Sequence, residues 1–305
     1  MSPLKVAVLC GGFSSERTVS LNTGLAIERA IIALGHEAVV IDVDNALGEN
    51  LNNANVDVCY NALHGTFGED GQIQSVLDFW GMPYTGEDAK TSLVAFDKRL
   101  TKYVYEAEGV STPAYAILDA KTALTEASKG FNFPVFIKPT SEGSSVGVEK
   151  INSLEALMSR ADAWQSNPYL LERSVTGVEV SVACIGDEVI GSVEIVTDRE
   201  FYDYEAKYGD ASTEYFIPPR LSPVRIAAAE EMALKAHRAL RCRSLCRTDV
   251  MVNDEHVFVL ETNTLPGMTE TSLVPKIARA KGIEFPELVS RVLARAHRKA
   301  TQENW

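Results

Sequence analysis

An alternation near the start of the chain constrains the fold most. Lys5–Cys10 is a short apolar run that ends in Gly11-Gly12, the pattern of a buried strand entering a loop. Ser20–Leu34 follows with helical spacing: Leu21, Leu25, Ile27, Ile31, Ile32 and Leu34 fall mostly on one face, and Gly35 stops the run. Ala38–Val43 and Val56–Asn61 read as a second and a third strand. Strand, helix and strand in this order predict a parallel sheet and the α/β class. Gly71–Trp80 reads as the next helix and Pro83-Tyr84-Thr85-Gly86 as a turn, which closes a first unit, 1–95.

Beyond residue 95 the pattern changes. Helix Asp97–Glu108, strands Ala114–Leu118 and Val135–Lys138, helix Leu154–Gln165 and strand Tyr169–Glu172 make a second unit, 96–180. In the third, 181–305, Val180–Ile185 and Val189–Ile195 alternate like a hairpin around Gly186-Asp187. Strands Cys246–Val252 and Val257–Glu261 flank a turn at Asn253-Asp254-Glu255, and helices are expected at Ala227–Leu240, Leu273–Lys281 and Pro286–Lys299. Between them Phe201–Pro219 is rich in aromatics and lacks periodicity, as a lid or binding loop does. A length of 305 residues suggests about two domains on its own; the segment pattern argues for three parts.

Charge narrows the function. The net charge of −13 argues against general affinity for nucleic acid or anionic membranes, which need clustered positive charge. An anionic small ligand in a locally basic site remains compatible with it. No stretch approaches the ~18 consecutive apolar residues of a membrane span, and the first residues lack the apolar core of a secretory signal. Five scattered cysteines suggest reduced thiols and a cytoplasmic location. His237, Cys242, Cys246 and His256 invite a zinc reading, but they lack a paired Cys-x-x-Cys, and Cys246 reads better as a buried strand residue.

Four constellations bear on chemistry. Lys138, at a strand end, precedes the small-residue loop Glu142-Gly143-Ser144-Ser145-Val146-Gly147, where bare N–H groups and an ammonium can meet phosphate oxygens. A tight hairpin turn fits the same residues. Arg247-x-Asp249 and Glu261-x-Asn263 lie on neighbouring strands, and spacing of two puts each pair on one face. Three oxygen donors there suit Mg²⁺, although a solvated sheet face reads alike. Ser272 stands where a helix begins, either as a plain N-cap or as part of a carboxylate site. Gly11-Gly12-Phe13-Ser14-Ser15-Glu16-Arg17 follows the first strand but lacks the Gly-x-Gly-x-x-Gly dinucleotide pattern; Glu16 is a candidate for a substrate ammonium. His64 follows the third strand, where parallel sheets bind ligands.

The order of the motifs is more specific than any one of them. It runs Gly11-Gly12-x-Ser14-x-Glu16-Arg17-x-Val19-Ser20; Leu63-His64-Gly65 with Gly68-Glu69-Asp70-Gly71; Asp97-Lys98 with Thr101-Lys102; and Lys138-Pro139 with Glu142–Gly147. Tyr202-Asp203-Tyr204-Glu205-Ala206-Lys207-Tyr208 and Glu261-x-Asn263-Thr264-x-Pro266-Gly267-Met268-Thr269 complete it. By this set the chain resembles, nearly end to end, the D-alanine–D-alanine ligase family of the ATP-grasp superfamily. The resemblance implies an ATP-grasp fold preceded by an N-terminal parallel-sheet domain, with ATP between the central and C-terminal parts.

It also implies roles. Lys98, Lys138 and Lys207 would meet the ATP phosphates, under a loop carrying Ser144 and Ser145. Glu172 would lie on the adenine side and Glu179 at the ribose. Asp249, Glu261 and Asn263 would hold two Mg²⁺ ions, with Mn²⁺ as a substitute. Glu16 would hold the ammonium of a first D-alanine, linked to Ser144 and Tyr208, with His64 near its carboxylate. Arg247 and the Gly267 backbone would stabilise the reacting oxygen, and Ser272 and Leu273 would take the carboxylate of a second D-alanine. A homodimer is implied as well. Tyr208 favours alanine over D-lactate as second substrate. A related ligase with another second substrate and a non-catalytic nucleotide-binding regulator remain the alternatives. Arg241, Ser244 and Cys246 depart from the family's usual residues, the first two standing where relatives often carry glycine.

Overall fold

The computed structural model describes residues 3–118, 126, 128–143, 146–160, 168–198 and 213–296. Three sheets organise them. The first has strand order β2-β1-β3, with β1 Lys5–Cys10, β2 Glu37–Asp42 and β3 Val58–Asn61. All its pairings are parallel, Val6 facing both Ala38 and Val58, as the alternation requires. The crossover is helix α1, Arg17–Ala33. It starts three residues ahead of the apolar periodicity, because its first turn stays polar. Helices α2 (Leu47–Ala54) and α3 (Gln72–Trp80) follow.

Next come α4 (Ala89–Phe96) and α5 (Lys98–Ala107), separated by Asp97 alone. Asp97 ends α4 in an extended conformation, and its carboxylate accepts the N–H groups of Arg99 and Leu100 to cap α5. The sequence reading saw α5 and missed both α2 and α4.

The second sheet is antiparallel, in the order β4-β7-β5-β6: β4 Tyr115–Leu118, β5 Val135–Pro139, β6 Glu149–Ile151 and β7 Tyr169–Arg173. Helix α6, Leu154–Ser159, is capped by Ser153; the rest of its expected span, 161–165, lies outside the described residues. The third sheet is also antiparallel, in the order β10-β9-β8-β11-β12: β8 Val178–Ile185, β9 Glu188–Val196, β10 Glu214–Phe216, β11 Leu245–Val252 and β12 Val257–Asn263. The expected loop Phe201–Pro219 is corrected at its far end. There β10 pairs with β9, and Arg220 stacks on the Phe216 ring while its guanidinium binds Glu194. Helices α7 (Pro223–Ala239), α8 (Leu273–Ala280) and α9 (Phe285–Leu293) complete the fold.

Strand periodicity explains how the cores are shared. Val6, Val8 and Cys10 face one side of the first sheet, Ala7 and Leu9 the other. The first side, with Ile27 and Ile31 of α1, joins Ala183 and Ile185 of β8 and the apolar faces of α8 and α9 in one core. On the far side of the third sheet Cys246, Val250 and Val252 pack under Ala229, Ala233 and Ala236 of α7. The second sheet keeps a small core of its own: Leu118, Val135, Ile137, Ile151, Leu157 and Leu171.

Candidate active site

Strand ends and the loops after them meet at one cleft of about 800 Å³, measured to its open mouth. After β1 the chain turns through Gly11-Gly12, and Arg17 fixes that turn by pairing with Asp42 on β2 and donating to the Gly12 carbonyl at 3.2 Å. Ser14 Oγ donates to the His64 carbonyl at 2.6 Å and accepts the Glu16 N–H at 3.2 Å. Glu16, 6% exposed, is thereby directed into the cleft. Its Oε2 lies where a side chain at Gly65 or Gly143 would stand, 2.8 and 2.9 Å from the Cβ each would carry. Gly65 also has φ +69°, so glycine is required there twice over.

His64 Nε2 lies 3.1 Å from Thr23 Oγ1, and Nδ1 lies 3.4 Å from Glu69, which also accepts the Gly65 N–H. The ring is therefore held from both sides.

The opposite wall comes from β11 and β12, where Asp249 faces Glu261 and Arg247 faces Asn263. Arg247 and Asp249 share a face, opposite to Cys246 and Val250. The guanidinium binds Asp249 through two hydrogen bonds of 3.0 and 2.9 Å, and Ser181 donates to the same carboxylate. A register shift after Asp249 pairs Val250 with Val259, so Leu260 is the extra residue and joins the cleft wall. The Glu261 carboxylate lies 3.9 Å from both Arg247 and Lys98. Asn263 Oδ1 accepts the Leu265 N–H at 2.8 Å. This donor set is entirely oxygen, which fits a hard divalent cation.

A second charged group lies one ion pair behind the cleft. Lys102, which lines it, and Lys138 both bind Glu172, Lys138 at 2.5 Å. Lys102 also donates to Thr112, which in turn donates to the Val259 carbonyl at 2.8 Å. Burial opposes charge on all three groups. It pushes the Lys102 ammonium's pKa down in spite of Glu172; for Glu172 the two lysines prevail and hold the carboxyl below its usual range. Lys138 is raised, because Glu172 outweighs burial, and Glu179 and Glu261 add to that pull. In front, Lys98 Nζ donates to the Glu142 carbonyl at 2.6 Å.

The structure thus brings Glu16, His64, Lys98, Arg247, Glu261, Asn263 and Gly267 to one cleft. Asp249, Lys138 and Glu172 stand just behind it, and Glu179 bears on it through the charge of Lys138. Ser272 lies against Gly267, but its hydroxyl does not cap α8; it accepts the Thr269 N–H at 3.1 Å, and Leu273 is buried. Ser144, Ser145, Lys207 and Tyr208 lie outside the described residues.

Lys102 and Glu69 had no role assigned from sequence. Lys102 falls four residues after Lys98 on α5, a spacing that puts both on one helix face and was available as a signal.

Comparison with known proteins bears on this cleft. Residues 42–87 match the family profile described as D-ala D-ala ligase N-terminus, and residues 104–294 the one described as D-ala D-ala ligase C-terminus. The D-alanine–D-alanine ligase of Anaeromyxobacter sp. (strain K) is 42% identical over 301 residues, covering 97% of this chain and 98% of that protein. The chain belongs to the D-alanine–D-alanine ligase family. The family member from Carboxydothermus hydrogenoformans is 41% identical over 303 residues, covering 95% of this chain and 97% of the other. A crystal structure of the D-alanine–D-alanine ligase from Bacillus anthracis complexed with ATP superposes with a TM-score of 0.84 at 28% identity, over 96% of this chain and 97% of that one. The architecture is the expected one for this ligase family: an ATP-grasp α/β fold behind an N-terminal parallel sheet.

Proposed function

We propose that the chain uses ATP to join two D-alanines into D-alanyl-D-alanine, releasing ADP and phosphate, for peptidoglycan precursor synthesis. The observation that carries this reading is the convergence of Glu16, Lys98, Arg247, Glu261 and Asn263 on one cleft. Full-length likeness to D-alanine–D-alanine ligases supports the same conclusion.

A carboxylate resists attack by an amine, because attack would build charge on an anion. In the proposed reaction the carboxylate of the first D-alanine takes the γ-phosphoryl group, ADP leaves, and D-alanyl phosphate forms. The second D-alanine then adds to the acyl carbon as the free amine, the acyl C–O bond breaks with its electron pair leaving on phosphate, and the nitrogen gives up a proton to solvent. Glu16 holds the first ammonium, with His64 near that alanine's carboxylate. Lys98 and Lys138 offset phosphate charge, and Lys207 joins them. Arg247 and the Gly267 N–H offset the charge that develops on the acyl oxygen, a term worth about 3–4 kcal/mol for one well-placed donor. Ser272 and the Leu273 N–H receive the second carboxylate.

Asp249, Glu261 and Asn263 would hold Mg²⁺, with Mn²⁺ as a substitute, and the bound ion would neutralise phosphoryl oxygens. Ser144, Ser145 and Tyr208 would help to exclude water, which protects an acyl phosphate. Glu172 would serve the adenine side through its backbone, and Glu179 the ribose. A cytoplasmic homodimer fits the family. Among the described residues no helix is long and apolar enough to cross a membrane.

ADP release measured with D-alanine and with D-lactate tests the reading. Release that depends on D-alanine supports it. Release that depends on D-lactate moves the chain to a depsipeptide ligase, and ATP binding without turnover makes it a regulator.

A further inference from the structure

One buried cluster takes no part in the reaction above. His237 lies in the last turn of α7, Cys242 just beyond that helix and Cys246 on β11. The chain reverses between the first two through Arg241, whose φ is +60°. That reversal brings the imidazole and the two thiols together under the helix: their ligand atoms all lie within 4.8 Å of one another. His256, the fourth residue of the zinc pattern considered from sequence, stands apart on an exposed turn.

The imidazole lacks a satisfying environment. His237 is fully buried, has no side-chain hydrogen-bond partner, and makes at best a weak, poorly aligned hydrogen bond to the Gly186 backbone. Burial pushes its pKa down to about 4, so the ring is neutral and keeps a lone pair to offer. Buried polar groups in native proteins are nearly always paired, and an orphaned one needs an explanation. The two free thiols are hydrogen-bonded to each other. Cys246 is 3.4 Å from a carboxylate oxygen of Glu87, a residue that also accepts the N–H groups of Arg243 and Ser244 at 2.8 and 2.7 Å.

We propose that His237, Cys242 and Cys246 form a buried three-ligand site for a thiophilic divalent cation, Zn²⁺ by its chemistry, with the Glu87 carboxylate beside Cys246 to help balance its charge. Nitrogen and sulfur donors select zinc over magnesium, which separates this site from the oxygen-only set in the cleft. Zn–S bonds of about 2.3 Å and Zn–N bonds of about 2.0–2.1 Å put donors on one tetrahedral ion less than about 4 Å apart. The observed cluster needs only a small contraction to reach that.

Burial holds the Cys246 thiol well above its ordinary pKa, and it raises Cys242 against the hydrogen bond from Cys246. A bound cation reverses that balance, since a coordinating thiol is deprotonated outright. On binding, two S–H bonds break, two Zn–S bonds form, two protons leave to solvent and no electron is transferred. The ion would tie the end of α7 to β11 one residue before Arg247. None of this depends on the proposed ligase activity.

The test uses full-length protein, reduced, stripped with chelator and titrated with Co²⁺ in saturating Mg²⁺. One equivalent should bind with an intense thiolate-to-cobalt charge-transfer band, release two protons and be displaced by Zn²⁺. Cys242→Ser and Cys246→Ser should lose the band, and His237→Gln should weaken Zn²⁺ binding at least tenfold. Absence of the band in the wild-type protein overturns the proposal, whether or not the variants fold. So does a band that survives both cysteine substitutions, or a Cys242–Cys246 disulfide found by mass in the protein as isolated.

Discussion

Lys102, Glu172 and Lys138 form one charged cluster, and Lys98, Arg247, Asp249 and Glu261 form another beside it. Their surroundings differ. Lys102 and Glu172 are 1% and 2% exposed, whereas the Glu261 side chain is 37% exposed and stands 3.9 Å from its cations. In the first cluster Lys102 and Glu172 have lost their water and depend on their partners, while Lys138, 16% exposed, stands at its edge. In the open cluster, water or a ligand can take a partner's place. Charge alone therefore does not mark a binding group; charge that can exchange partners does. On this view Lys102 is a positioning residue. It holds Glu172, and through it Lys138, while Lys98 and Arg247 line the cleft itself.

The largest expected effect falls on the sealed side. Glu172→Gln removes the carboxylate that pairs directly with Lys102 and Lys138 and should cost about 3–5 kcal/mol in urea unfolding. A loss below about 1 kcal/mol, the surface-pair range, would mean that the cluster is not sealed and would break the contrast. Arg247→Ala should act the other way round. It should lower kcat/KM by about 10²–10³, with ATP affinity nearly unchanged and a smaller loss of stability than Glu172→Gln. ATP affinity falling in step with activity would remove Arg247 from its assigned role.

A third outcome concerns acid. The Glu172 carboxyl is held below its usual range despite burial, because Lys102 and Lys138 favour its charged form. Its contribution is complete above the ordinary glutamate pKa of about 4.3 and fades as pH falls through the lower folded value. Between neutral pH and about pH 3 the wild-type protein should lose more stability than Glu172→Gln does. Parallel profiles would show that Glu172 does not drive the acid response. The smallest effect belongs to the turn leading toward Arg247: Arg241→Gly relieves a left-handed residue and should raise stability by about 1 kcal/mol or less, with kinetics unchanged.

Legibility followed the range of the interactions involved. β1 to β3 could be read because strand and helix periods are local, and Gly11-Gly12 and Gly35 mark the ends. Asp97 hid α4, since one residue both ends a helix and caps the next, and the mixed sequence around it reads as a single segment. β6 and β10 are three residues each and exist through their partners β5 and β9. In the site, Glu16, Lys98, Arg247 and the β12 donors were legible from motif order. Lys102 was not, because a lysine in a polar helix reads as solvated until β7 brings Glu172 against it. The cluster of His237, Cys242 and Cys246 has no metal-ligand spacing in the sequence, because a helix end, a tight reversal and a strand assemble it.

The separate small core of the second sheet has a mechanical consequence. Among the described residues polar links join that sheet to the rest of the molecule, Lys102 with Glu172 and Lys98 with the Glu142 carbonyl. Moving it would expose little oily surface. Closure of this lobe around a polyanion should accordingly carry only a small heat-capacity change, and its position should answer to the charge of what lies in the cleft.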